Sequence, residues 1–565
     1  MTKTFTLALG MVVAVSLLGG CQTAGRAKPV KALSVSAATN TVAGPPPLDP
    51  RAFERRAEAD ARFLAGVSHE LNNEPEQAVE EFFKAALADP GNEPLVLDLT
   101  TRFVFLKRYD QAAEVLAKAL QQPGASAAID TRLAFVNLQR GRTNDALCAN
   151  EAAIQKNPRF IGGYRGLFIL YSQTGQTNEA TKVLDQAAAA KTPDADFLVD
   201  LSEMYFLQDR AARGSNTVAK ARARDALNRA AALNPTNFFV LQKLADGFTQ
   251  TGDRKQAQAT LVKLQQLYPD MPNVRERLLD LYLRDRDKKG AAEQLEGLIR
   301  ENPTNPQAYY LLGILAFEEK RFKEAADSFH KTLLLNPDFE PAYYELAVCE
   351  MNLDRPKEAL ATLAKGREKF KETFLSEYLS ALALMRQKDY TNAVQRLTTA
   401  EVIAVATDTN RLTHIFYFQI GSACERAGRW HESEKHLLKC LKLSPDFDEA
   451  LNYLGYMYAE RGTNLVQARE MIEKALQHEP DNAAYLDSLG WVRFKQGQMR
   501  EALRLIERAI KLNKEPDATL YDHQGDILVE LKEPEKAREA YKAALGVEAN
   551  PEVQKKLERL PPPKR

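Results

Sequence analysis

The chain has 565 residues and pairs 76 lysines and arginines with 76 aspartates and glutamates, so its formal net charge is zero. That balance argues against nucleic acid as a partner, because nucleic-acid binders carry a basic face or stripe. Five cysteines without paired spacing give neither a zinc motif nor a disulfide framework.

At the N-terminus, Lys3 supplies a short positive region, and Phe5 to Leu18 form an apolar run too short for a comfortable membrane span. Leu18-Gly19-Gly20-Cys21 follows, and it resembles a bacterial lipobox; the other reading is an ordinary signal peptide with a chance cysteine. The resemblance implies that residues 1–20 are a lipoprotein signal peptide and that Cys21 becomes the lipidated first residue. More than one acyl chain anchors a protein stably where a single chain does not. Gln22 stands where an aspartate would signal inner-membrane retention, which implies an outer-membrane lipoprotein facing the periplasm. Residues 21–57, rich in Ala, Ser, Thr and Pro with Gly44-Pro45-Pro46-Pro47 inside, are expected to form a disordered tether.

From residue 58 to 550 an alanine returns at a fixed interval. Ala78, Ala112, Ala146 and Ala180 are 34 residues apart, as are Ala257, Ala291, Ala325, Ala359 and Ala393; Ala468, Ala502 and Ala537 continue at 34 and 35, with Ser433 filling one gap. The stretch Asn305 to Phe339 shows the unit. Tyr309, Leu312, Gly313, Ala316 and Phe317 recur at helical spacing, a charged Glu-Lys-Arg breaks the pattern, and Ala325, Phe329, Thr332 and Leu333 form a second stripe. Asn336-Pro337 ends it, since proline cannot continue a helix. Gly313 and Ala325 let two backbones approach, with Phe329 filling the space beside them.

A period of 34 with Leu-Gly, Tyr, Ala-x-x-x-Phe and a closing Pro resembles the tetratricopeptide repeat (TPR) family. The resemblance implies an all-α solenoid of about fourteen helix-turn-helix repeats in a right-handed superhelix, with residues 551–565 as a capping helix and tail. Two insertions interrupt the phase. Asp209 to Lys220 is expected to enlarge a turn, and Arg210, Arg213, Lys220, Arg222 and Arg224 there read either as a basic lip or as solvated charges on a tolerated loop. A second extension lies around Val402 to Asn410.

Catalytic motifs are not found. His431 and His436 are five apart, not the four that a zinc-protease helix needs. Cys424 and Cys440 occupy positions for small buried residues, with a metal or disulfide as the lesser reading, and Cys148 and Cys349 are expected in or near the core. The expectation is therefore a non-enzymatic protein without cofactor or metal.

In the TPR family the first helix of each hairpin lines the inner face. Here that face reads Tyr310, Ile314 and Phe317, then Tyr344, Val348 and Met351, then Tyr378, Leu382 and Met385, continued by Phe418, Tyr456, Trp491 and Phe494. An exposed apolar stripe of this kind is a binding surface for peptides or proteins, unless the chain packs on itself or dimerises over it. TPR modules that clamp a terminal carboxylate carry Lys and Asn at such places, so tyrosines and aliphatics predict apolar or extended segments instead.

Within Leu451 to Leu545, Leu454-Gly455-Tyr456, Asp487-Ser488-Leu489-Gly490-Trp491 and His523-Gln524-Gly525-Asp526 are similar to motifs of Gram-negative outer-membrane TPR lipoproteins. That similarity implies an adaptor for envelope assembly or periplasmic proteolysis. The alternative is a fixed structural part of a secretion, pilus or exopolysaccharide assembly.

Overall fold

The computed structural model describes residues 50–562 and shows helices only, with no strand among the described residues. Twenty-eight α-helices form fourteen consecutive hairpins, and Pro551–Glu558 adds one more helix after the last. The periodic alanines explain the pairing. Ala78, Ala112, Ala146, Ala180, Ala257, Ala291, Ala325, Ala359, Ala393, Ala468, Ala502 and Ala537 are at most 3% exposed, and Ser433 is fully buried in the same role. Ala223 fills the place in the fifth repeat.

Glycine on the facing helix is fixed by the same closeness. A Cβ at Gly66 would lie 2.5 Å from the Phe82 ring, and one at Gly313 would lie 2.7 Å from Phe329. Each hairpin turn also passes through a left-handed residue: glycine at Gly141, Gly175, Gly252, Gly428, Gly462 and Gly497, but Asn73, Lys107, Arg213, Arg286, Lys320, Asp354, Lys388 and Lys532 in other repeats. Left-handed angles are cheap for glycine and strained for residues with a Cβ.

The chain divides into two compact units, the first ending at Lys191 and the second starting at Thr192. Repeats one to four belong to the first, where Phe82, Leu99, Phe103 and Leu116 anchor a continuous core. The second holds repeats five to fourteen. After the fourteenth repeat, Val553 of helix Pro551–Glu558 buries itself beside Leu528 and Tyr541.

The structure corrects three expectations. Helix Pro50–Leu71 starts inside the stretch 21–57 that composition assigned to a tether, with proline at its first position where the missing N–H is no loss. The insertion after Asp209 does not enlarge a loop. It lengthens both helices of repeat five, to Ala195–Ala211 and Thr217–Ala232, and leaves a short turn between them. Buried Asp209 accepts from the Asn216 backbone N–H at 2.9 Å, and its other oxygen lies 3.6 Å from Lys220 Nζ, so this part of the basic stretch is internally paired. The second extension behaves alike, as helix Tyr390–Thr407 simply runs longer. Cys148 is exposed, not near the core, whereas Cys349, Cys424 and Cys440 are buried free thiols.

Residues 1–49, including the expected signal peptide, Cys21 and most of the expected tether, lie outside the described residues. No described helix is long and apolar enough to cross a membrane.

Candidate functional site

The stripe expected to face inward lies on first helices: Pro306–Glu318, Glu340–Asn352, Phe374–Arg386, His414–Arg426, Asp448–Glu460 and Ala483–Lys495. Its helical positions coincide from repeat to repeat because the period preserves register. Tyr310, Ile314, Phe317, Tyr344, Val348, Leu382, Met385, Phe418, Tyr456 and Phe494 are half-buried. Met351, Tyr378 and Trp491 are buried at 5%, 7% and 7% exposure, against the expectation of a fully open wall. The reason is packing between successive repeats. Met351 joins a core with Ala347, Leu363 and Ala383. The Tyr378 ring stacks on Phe374 at 5.5 Å and also meets Phe416.

Half-burial leaves the tyrosines amphipathic, with an apolar body against the fold and a polar tip. Tyr310 packs on Phe329 and Phe339, and burial, helped by the Glu345 carboxylate, pushes its hydroxyl up to about 12. The Tyr344 hydroxyl donates to Glu340 Oε1 at 2.6 Å and lies 3.2 Å from Thr373 Oγ1; burial first, then Glu340, lift it to about 12. These groups therefore stay protonated donors at neutral pH.

At the C-terminal end the face changes character. Trp491 stacks on Phe494 at 4.9 Å and on His523 at 4.1 Å, with the latter pair tilted by 16°. His523 is buried, and its Nδ1 lies 2.8 Å from Asp487 Oδ1. Burial would lower the His523 pKa, but Asp487, and further off Asp522 and Asp526, outweigh it and raise the pKa above its ordinary value. Trp491 Nε1 is buried without a hydrogen-bond partner. The Asp487–His523 pair was not read from the sequence; its signal was the recurrence of Asp-Ser-Leu-Gly-Trp and His-Gln-Gly-Asp at nearly one repeat spacing. The second motif has its own physical reason. A Cβ at Gly525 would fall 2.3 Å from the Tyr541 ring, and Asp526 accepts from the Tyr541 hydroxyl and from Lys556 Nζ, both at 2.7 Å.

The two histidines of the near-motif do not meet. His431 is exposed, while His436 is half-buried and stacks on Tyr417 at 6.0 Å. Burial raises the thiols of Cys424 and Cys440 to about 11 and about 12, so both stay protonated packing groups at neutral pH. Among the described residues, no group of three or more His, Cys, Asp or Glu is placed to hold a metal.

Tetratricopeptide repeat family models match residues 243–306, 277–338, 316–385, 415–447 and 488–553. Over those residues the chain carries tetratricopeptide repeats. TPR repeat-containing protein PA4667 of Pseudomonas aeruginosa is 40% identical over 95 residues, which is 17% of this chain; the chain spans only 16% of that relative's length. Among solved structures, the APC/C hetero-tetramer Cut9-Hcn1 is 16% identical, covers 90% of this chain and 97% of its own, and has a TM-score of 0.30. YrrB, a TPR protein with an unusual peptide-binding site, is 22% identical over 35% of this chain and 97% of its own, with a TM-score of 0.30. The C-terminal part of a TPR repeat-containing protein from Cytophaga hutchinsonii is 19% identical over 44% of this chain and 99% of its own, with a TM-score of 0.33.

Proposed function

We propose that this TPR protein is a non-enzymatic scaffold that holds peptide or protein segments on the inner face of repeats eight to thirteen. The observation that carries the reading is the row of half-buried aromatic and aliphatic side chains, Tyr310, Tyr344, Phe418, Tyr456 and Phe494 among them, on successive first helices. Each keeps part of its surface open while its base is fixed by packing, so little side-chain freedom is lost when a partner lands. The protonated Tyr310 hydroxyl can donate to a backbone carbonyl of an extended segment, whereas that of Tyr344 is already given to Glu340.

Cys21 would hold the array to the outer membrane from the periplasmic side, supported by the order of Lys3, the apolar run and Leu18-Gly19-Gly20-Cys21. The role that follows is an adaptor presenting clients to envelope assembly or proteolysis. Photo-crosslinkers placed at Tyr344 and Phe494 in cells test the face. The expected result is one shared set of partners at both positions, lost when Tyr310 and Ile314 become alanine. Capture of nothing but the chain itself overturns it, and a single stoichiometric partner that never exchanges points to a fixed assembly part instead. Fatty-acid labelling that survives Cys21→Ser sinks the anchor.

A further inference from the structure

Outside the inner stripe, Glu377 on helix Phe374–Arg386 is fully buried. Arg396, on the second helix of repeat ten, donates from Nη1 to its Oε2 at 2.9 Å. Arg367, on helix Pro356–Lys369, sits with Nη1 3.7 Å from Oε1 and donates from the same nitrogen to Ser380 Oγ at 2.6 Å. Above the two guanidiniums opens a cavity of about 440 Å³ that Asn392, Gln395, Thr399 and Leu384 also line.

Within 4.0 Å the two permanent cations meet one carboxylate, Glu377, while Glu372 acts on Arg367 from further off. No other ion pair reaches either arginine within 4.0 Å among the described residues. Burial, and then the nearby Arg396 charge, hold the Arg367 pKa below its ordinary value. Each guanidinium spends one nitrogen inward and keeps its Nε and Nη2 donors without a hydrogen bond to described residues.

We propose that this cavity between the second helices of repeats nine and ten binds a carboxylate-bearing ligand. The forked donors of arginine match a planar carboxylate. One surplus positive charge calls for a monoanion, which disfavours a phosphate dianion. The amides of Asn392 and Gln395 and the hydroxyl of Thr399 would hold the neighbouring polar atoms, and the Leu384 side chain would meet a short aliphatic stem. A glutamate side chain of a peptide and a free small aliphatic monocarboxylate share that chemistry. None of the stripe residues lines the cavity, so substitutions at Tyr310 and Ile314 in repeat eight leave it untouched.

The test titrates the full chain with a fluorescent, end-blocked Ala-Ala-Glu-Ala-Ala peptide, its Gln counterpart, butyrate and inorganic phosphate. The Glu peptide should bind about tenfold or more tighter than the Gln peptide. Gln395→Glu, an exposed change that places a carboxylate at the mouth, should weaken it by about tenfold, and Arg396→Gln should do the same. Glu377→Gln should tighten it by about threefold or more, because a neutral floor leaves both cations to the ligand; a purely structural triad would not respond in that direction. Butyrate that displaces the peptide supports the site and identifies a free monocarboxylate as sufficient. Equal binding of Glu and Gln peptides, or unchanged affinity in Gln395→Glu, overturns the proposal, as does phosphate competing better than butyrate.

Discussion

Glu377 and Asp487 occupy the first helices of repeats ten and thirteen, both shielded from water, and their cationic partners differ in kind. Glu377 faces Arg367 and Arg396, which cannot shed their protons, and a cavity remains beside them. Asp487 faces His523, which can, and the Trp491 ring covers the pair. Permanent surplus charge next to space is an arrangement for a ligand. A titratable pair beneath an aromatic lid is an arrangement for holding repeats together, with a strength that depends on pH.

The sharpest way to break this contrast is to remove each acid. Glu377→Ala strands two guanidiniums and should cost about 3–5 kcal/mol, toward the lower end because Arg396 reaches solvent. Asp487→Ala should cost about 1–3 kcal/mol, since His523 can turn neutral. Hydrogen exchange on the helices flanking each site is the suitable measurement, because long repeat arrays do not unfold in one step. Equal losses would erase the distinction.

A second way uses pH. NMR titration should place His523 above 6.5, raised by Asp487 against the effect of burial, and His436 below it, lowered first by burial. A raised folded pKa means that the stabilisation from His523 is complete below 6.5 and is lost as pH climbs through the folded value. His436 works in the opposite sense, its contribution fading as pH falls from 6.5 toward its lower folded value. His523→Gln should flatten the alkaline loss near repeats thirteen and fourteen and leave repeat eleven alone.

Smaller effects refine the picture of the C-terminal joints. Tyr541→Phe removes one donor from Asp526 while Lys556 stays, so about 1 kcal/mol should go, read as faster exchange in helix Pro534–Val547. Lys495→Ala removes a cation 4.9 Å from the Trp491 ring centre and should cost about 0.5 kcal/mol at this exposed site, measured the same way.

Repeat register was legible because tight packing tolerates only small residues, so Ala325 and its counterparts mark the helix crossing directly in the sequence. The inner stripe was legible as a face, but not its burial: periodicity reports direction, and what covers Tyr378 or Trp491 comes from a neighbouring repeat. The Asp487–His523 pair was hidden because each residue alone looks like an ordinary polar position on an exposed turn of helix. The insertion at Asp209 was misjudged for a related reason, since extra residues can lengthen two helices together and keep the hairpin closed.

The left-handed turn residues carry a practical consequence. Lys107, Arg286, Lys320, Asp354, Lys388 and Lys532 accept angles that glycine adopts freely in sister repeats, and those rungs work under tension. Because neighbouring rungs add their contributions along a solenoid, glycine at several of these corners would give a more heat-resistant array with both faces unaltered, which makes the corners a handle for engineers seeking a tougher version of the same molecule.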